Sequence, residues 1–157
     1  MIADIVPADF PWVHALNKAH EVELSPLTEP GIAALVSSAT YARQADGGAM
    51  LIAFDQAADY DSPNFIWHRD RFERFLYVDR VAVAATHRRR GLAAELYRNL
   101  FDFARTRRDE RVVCEVNSDP PNPGSDMFHS ALGFEVIGEA RLPERGKSVR
   151  YMARPVA

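Results

Sequence analysis

The chain has 157 residues, 47% hydrophobic and 26% charged, with a net charge of −3; a single domain of that length, spanning 1–157, buries roughly 70% of its unfolded surface. The negative total excludes a protein drawn to nucleic acid by a general basic field, and no apolar run is long enough to span a bilayer. Met1–Phe10 lacks the charged head and apolar stretch of a secretory leader, and Cys114 has no partner for an internal disulfide, which together point to a cytoplasmic protein.

Ala3–Val6 reads as a short first strand. Asp9-Phe10-Pro11 opens a helix to about Glu23, with Asp9 as N-cap and Pro11 in the first turn. Thr28-Glu29-Pro30 starts a second helix that carries Ile32, Leu35 and Val36 at helical spacing. Asp46-Gly47-Gly48 is a hairpin turn between strands Tyr41–Ala45 and Ala49–Asp55. Gln56–Arg74 reads as a long loop rich in aromatics (Tyr60, Phe65, Trp67, Phe72), a kind that is usually functional or disordered.

Phe75–Ala84 is a near-continuous apolar strand broken by Asp79-Arg80. Gly91–Arg108 carries the strongest helical pattern: Leu92, Leu96, Leu100 and Phe103 lie along one side, and Glu95, Arg98, Asn99, Asp102 and Arg105 along the other. Arg111–Val116 is a second apolar strand with Glu115 inside it. Asn117–Gly124 is a proline-rich turn, Ser125–Leu132 a short helix and Phe134–Leu142 a strand. Arg145-Gly146-Lys147 turns the chain into a last strand, Val149–Arg154. Phe75–Val116 is therefore a strand–helix–strand unit of two parallel strands with a right-handed crossover. The fold class is mixed α/β around one central, mostly antiparallel sheet.

Residues 86–92, Thr-His-Arg-Arg-Arg-Gly-Leu, place three cations where the long helix starts. A helix N-terminus is already partly positive, so cations there call for an anion. The stretch follows the carboxyl end of a parallel strand, where α/β sheets bind ligands. Free backbone N–H groups from about Arg89 to Ala94 can form a concave anion site, and Gly91 lets the backbone come close. A pyrophosphate suits three arginines better than a lone carboxylate; a solvated arginine cluster is the alternative. Neither a P-loop lysine nor a dinucleotide glycine pattern is present.

The run Val81–Ala93 resembles the acetyl-CoA signature of the GNAT-superfamily N-acetyltransferases, Arg/Gln-x-x-Gly-x-Gly/Ala after the fourth strand. Arg88, Gly91 and Ala93 occupy its three defining positions. Downstream, Asn122-x-x-Ser125-x-x-Phe128-His129-x-x-Leu132-Gly133-Phe134 is similar to the family's Asn-x-x-Ala, helix and Gly-Phe ending. The likeness spans Phe75–Arg154 by motif and the N-terminal half by element order. Residues 77–80, 114–117 and 120–123 also resemble a bacterial branch of the superfamily with no settled substrate.

The resemblance implies that strands Phe75–Ala84 and Arg111–Val116 splay, with the pantetheine arm of acetyl-CoA lying along the backbone of Val81, Ala82 and Val83. It assigns the pyrophosphate to the turn of Arg88, Arg89, Arg90, Gly91, Leu92, Ala93 and Ala94. Asn122 and Ser125 would approach the coenzyme from the far side, with Phe128 covering it. An amine would attack the thioester directly in a ternary complex. An ammonium with a pKa of about 10.4 needs a base or a water chain to lose its proton, and the Val83 N–H is the nearest donor for a developing oxyanion.

His129 falls where many members of the family carry a tyrosine proton donor. It is expected to donate from a raised pKa or to position the thiol; packing beside the coenzyme without chemistry is the alternative. Asp79 and Glu115 are the candidate bases, because an ionised carboxylate in a buried strand is costly unless paired. Strand parity groups Asp79 with Val81 and Val83 unless a bulge intervenes. The structural alternative pairs these carboxylates with Arg80 or Arg111, and Glu21, Glu23 or water are other proton acceptors.

His14, His20, His68 and His87 show no ligand spacing, so no metal is expected. Ser125 and His129 share a helix face but lack the carboxylate a hydrolase needs, and Cys114 reads as a small core residue. Tyr60, Phe65, Trp67 and Phe72 either line an acceptor pocket or anchor their loop. Glu21, Glu23 and Glu29 hint at a cationic acceptor; small amines, amino acids, antibiotics and protein N-termini stay open, as does a homodimer. A catalytically silent acyl-CoA-binding module is the competing reading.

Overall fold

The parallel unit expected over residues 75–116 is the hinge of the architecture. A computed structural model describes residues 1–156. Its chain order is β1 (Ile2–Asp4), α1 (Phe10–Ala19), α2 (Glu29–Ser38), β2 (Tyr41–Ala45), β3 (Ala49–Asp55), α3 (Pro63–Arg69), β4 (Phe75–Val83) and α4 (Leu92–Arg107). There follow β5 (Arg111–Asp119), α5 (Pro123–Ala131), β6 (Glu135–Leu142) and β7 (Lys147–Pro155). The seven strands form one sheet in the order β1-β2-β3-β4-β5-β7-β6. Every neighbouring pair is antiparallel except β4 with β5.

Each face of the sheet has its own apolar cluster. On one side α4 buries Leu92, Leu96, Tyr97, Leu100, Phe101 and Ala104 against strand residues such as Leu51, Val78 and Cys114. This stripe differs from the expected one: Phe103 is only partly buried, and Tyr97, Phe101 and Ala104 complete the inward rows at i+4 spacing. On the other side Val13 and Leu16 of α1, Ile32 and Leu35 of α2 and Phe65 of α3 pack over Phe54, Phe75 and Tyr77.

Several boundaries depart from the expectations, each through a tertiary contact. β1 begins at Ile2 and ends at Asp4, in register with Ala45 and Arg43. Asp9 does not cap α1; its carboxylate accepts from the Val6 N–H at 2.9 Å and from the Trp12 indole N–H at 3.0 Å. α1 stops at Ala19, so His20–Glu23 form a turn instead of a last helical turn. Thr28 does cap α2, its hydroxyl accepting from the Gly31 N–H at 3.1 Å.

The aromatic segment 56–74 is not a plain loop. It contains α3, and its rings anchor it to the sheet: Trp67 stacks on Tyr151 with centroids 4.1 Å apart, and Phe65 is fully buried. Gly138 allows this contact, because a Cβ there would lie 2.5 Å from the Trp67 ring. β5 outruns its expected end at Val116, since Asn117 and Asp119 pair with Val149 and Ser148 of β7. α5 accordingly starts at Pro123, with the Asn122 side chain accepting from the Ser125 N–H at 3.3 Å. β7 is extended at both ends by its pairing with β5 and β6.

Candidate active site

The sheet is split at its centre. β4 and β5 pair only over Phe75–Tyr77 and Arg111–Val113, although both strands run on for six residues. The split begins at a bulge: Val78 faces Ala53 and Arg80 faces Ile52, leaving Asp79 as the extra residue. Beyond it the β5-facing backbone groups of β4 meet no strand, and buried backbone groups need partners. Between the strands lies a cavity of about 580 Å³, a size typical of ligand pockets.

One end of this cavity gathers a cationic side chain and free backbone N–H groups. Arg88 lines it, and Arg89 and Gly91 both adopt left-handed backbone, with φ of 65° and 71°. Residues of this kind turn successive N–H groups to one side, making a concave nest. α4 starts at Leu92, so its first N–H groups have no intrahelical partner. Ala93 lines the cavity, while Leu92 is buried in the core and Ala94 is half-buried. Arg89 and Arg90 are exposed at the rim and do not line the cavity. Farther in, Val81, Ala82 and Val83 line the cavity from β4, as do Asn122 ahead of α5 and Ser125 and Phe128 within it.

His129 is buried and both ring nitrogens are engaged. Nδ1 lies 2.8 Å from the Ser125 carbonyl oxygen, an acceptor, so Nδ1 carries the proton. Nε2 then accepts from the Tyr97 hydroxyl at 2.6 Å. Burial lowers the His129 pKa, against weaker opposing pulls from Ser125 and Asp126. The raised-pKa expectation for His129 is therefore corrected: the ring is a neutral hydrogen-bond acceptor. Tyr97 is missing from the sequence-based candidates, yet it lines the cavity, and burial keeps its hydroxyl protonated.

Glu115 and Asp79 sit at the other end, where a second cavity of about 20 Å³ adjoins the first; both residues, with Glu23 and Leu24, line both cavities. The Glu115 carboxylate accepts from the Tyr77 hydroxyl at 2.9 and 2.8 Å and from the Asn64 amide at 3.1 Å. Asn64 in turn accepts from Tyr151 at 2.9 Å. Burial, and then the charge of Asp79, push the Glu115 carboxyl up to about 7. A carboxyl poised near neutrality is what a general base requires.

Asp79 differs in kind. Its carboxylate takes one hydrogen bond from Tyr60 at 2.8 Å and forms an ion pair with Arg80 at 3.0 Å. Arg80 is further held by Asn17 and the Ser25 carbonyl, both at 2.6 Å. The bulge also breaks the expected parity. Val78 and Val81 pack on the α4 side, while Asp79 and Arg80 both bond to residues on the other side. The proposed pairing of Glu115 with Arg111 is absent: Arg111 reaches Glu110 at 3.7 Å and lies over the Phe72 ring at 4.0 Å.

Of the other acidic candidates, Glu23 lines both cavities and Glu21 and Glu29 line neither. Of the aromatics, Tyr60 reaches the second cavity through its hydroxyl and Phe65, Trp67 and Phe72 do not line either. Cys114 is buried and burial raises its thiol pKa, so it is no thiolate nucleophile. Among the described residues, no helix is long and apolar enough to cross a membrane.

The Acetyltransferase (GNAT) family model matches residues 34–134. Solved structures share the fold at low identity. Ard1 from Thermoplasma volcanium is 16% identical with a TM-score of 0.78, covering 100% of this chain and 97% of its own. The ribosomal-protein-S18-alanine N-acetyltransferase from Escherichia coli is 17% identical with a TM-score of 0.70, covering 100% and 94%. N-acetylglutamate synthase from Neisseria gonorrhoeae, solved with coenzyme A and N-acetyl-glutamate, is 14% identical with a TM-score of 0.70. That match covers 100% of this chain and 35% of the synthase. Among curated proteins no match was found.

Proposed function

Because the chain belongs to the GNAT acetyltransferase family, we propose that it transfers the acetyl group of acetyl-CoA to the nitrogen of a small primary amine in a ternary complex. The observation that carries this reading is a single cavity with Arg88 and the left-handed turn at one end and the buried Glu115 carboxyl at the other. A neighbour of the same fold, the gonococcal synthase, was solved with coenzyme A.

The donor set fits the coenzyme. Arg88 and the N–H groups around Gly91 would hold its phosphates, with Arg89 and Arg90 adding charge at the rim. The free edge of β4 at Val81–Val83 offers backbone partners to its amides, and Asn122, Ser125 and Phe128 close the far side. When bound, the coenzyme supplies an acetyl thioester.

Glu115 takes a proton from the incoming ammonium, directly or through one water. The freed nitrogen would form a C–N bond as the C–S bond breaks. The nitrogen's second proton would pass to the Tyr97 oxygen, directly or through water, as Tyr97 gives its own proton to the sulfur, leaving the amide, the free thiol and one proton on Glu115. Tyr97 is the protonated hydroxyl facing that part of the cavity; rotation about its C–O bond turns the proton from His129 towards the sulfur. His129 is a positioning residue that holds the Tyr97 ring. Asp79 keeps Arg80 and Tyr60 in place and adds negative potential beside Glu115.

Release of free CoA, followed with a panel of primary amines, tests the reading. Turnover with at least one amine is expected; binding of acetyl-CoA without release would mean a silent module. Tyr97→Phe should lower kcat by about a hundredfold, the low end for loss of a general acid, with the KM for acetyl-CoA unchanged. An unaltered kcat would remove Tyr97 from the mechanism.

A further inference from the structure

The second cavity carries information about the acceptor that the coenzyme site does not. Its carboxylates are Glu23, Asp79 and Glu115; its cations are Arg80, Arg145 and Lys147. Asp79 and Arg80 neutralise each other at 3.0 Å. Among the described residues, Arg145 and Lys147 make no ion pair with any protein carboxylate, in contrast to Arg80, Arg107 and Arg150. Two cations without an ion pair thus line the same cavity as the buried Glu115 carboxyl.

The strand geometry fixes this arrangement. Lys147, Val149 and Tyr151 alternate onto one face of β7, and Glu115 is the cross-strand partner of Tyr151. Lys147 is therefore displaced along the strand from Glu115 on the same face. It is half-buried and interacts electrostatically with Glu115 and Glu23, as well as with Arg145 and Arg80. Arg145 belongs to the short turn between β6 and β7, which ends at Gly146 in left-handed backbone. It is exposed, lines the cavity together with Asp79 and favours the charged form of that carboxyl.

Resting on the acetyltransferase reading, we propose that the acceptor is a free amino acid. Its ammonium group sits at Glu115 and its carboxylate is received by Lys147 and Arg145. Glu115 lines both cavities, so the amino nitrogen sits against it from the larger one, where the thioester would lie. The second cavity, about 20 Å³ and lined by Lys147 and Arg145, takes one water-sized group such as a carboxylate oxygen. The anionic group must then lie within a few bonds of the nitrogen, on the side of the second cavity where the two cations are. A dication or a simple alkylamine would leave half-buried Lys147, and Arg145 beside it, unmatched against an apolar or positive end. The cost of a buried polar group left unpaired is what makes such a site discriminate.

The test uses steady-state CoA release by the full chain with matched probes: free L-amino acids, the corresponding amino acid amides, unsubstituted alkylamines and aminoalkyl phosphonates. The expected result is a kcat/KM at least about tenfold higher for the acids than for their amides. That ratio should fall by about tenfold in Lys147→Gln and less in Arg145→Gln, with circular dichroism and melting temperature recorded to show folded variants. Phosphonates used better than carboxylates would overturn the amino acid assignment. Amides or alkylamines used as well as acids, or a preference that survives both substitutions, would overturn the anionic subsite while leaving acetyl transfer standing. Failure with every amine, although acetyl-CoA binds, would overturn both.

Discussion

Glu115→Gln should abolish most of the turnover and leave acetyl-CoA binding intact. The substitution keeps the shape of the side chain and an oxygen for the Tyr77 and Asn64 donors, and removes the ability to take a proton. General-base removal costs about 10²–10⁴-fold, and kcat/KM for the amine should fall within that range. In the unaltered protein kcat/KM should rise with pH through about 7, where the Glu115 carboxyl ionises, on top of the amine's own ionisation at higher pH. The variant should lack the limb near 7. A variant with full activity would exclude Glu115 as the base and leave Glu23 or water.

The same carboxyl makes a stability prediction with a definite sign. Its folded pKa, about 7, lies above its ordinary 4.5, because burial and then Asp79 disfavour the charge. The fold therefore prefers the protonated form. That contribution is fully present below about 4.5 and is lost as pH rises through about 7. At about 1.4 kcal/mol per tenfold change in acidity, the loss amounts to up to roughly 3 kcal/mol. Denaturant titrations of the protein and of Glu115→Gln should diverge between those pH values, the variant being relatively more stable at pH 8. Parallel curves would show that Glu115 titrates normally.

The second large effect belongs to the anion end. Arg88→Ala removes a charge-assisted hydrogen bond worth about 1.5–3 kcal/mol, which raises the Kd for acetyl-CoA by about ten- to more than a hundredfold. Gly91→Val probes the backbone instead. A Cβ at Gly91 meets nothing within 4 Å, so its whole effect is conformational: at φ 71° a branched side chain is strained by about 1–2 kcal/mol. The turn should relax out of left-handed geometry and point its N–H groups away, weakening binding by a comparable factor. Arg98, exposed on α4 and outside the cavity, is the control; Arg98→Ala should bind acetyl-CoA normally. Calorimetry with each variant provides the measurement. Equal affinities for all three would place the phosphates elsewhere.

The parts of this molecule legible in its sequence are those set by local chemistry. Asp46-Gly47-Gly48 marks the β2–β3 hairpin because its turn demands left-handed residues, and Asp46 and Gly47 adopt them. The long helix after Gly91 is legible because its apolar residues recur at helical spacing. What was illegible depends on distance or on irregularity. Parity counted from Val81 misassigns Asp79, because a bulge adds one residue and no residue type at 79 announces it. The Glu115 cradle joins positions 51 residues apart to Asn64 and 38 apart to Tyr77. The single asparagine within the aromatic segment was the available clue. Tyr97 had a comparable one, a polar-tipped ring in the buried row of α4, where its hydroxyl needs a partner.

The account rests on the divergence of β4 and β5 being the coenzyme's seat, and a crystal structure of the protein grown with coenzyme A tests that most directly. The predicted result is density for the pantetheine arm along Val81–Val83, phosphates against Arg88 and the N–H groups after Gly91, and the sulfur on the side of Tyr97 and Glu115. Coenzyme A bound at another surface, with β4 and β5 still apart and nothing between them, would contradict it.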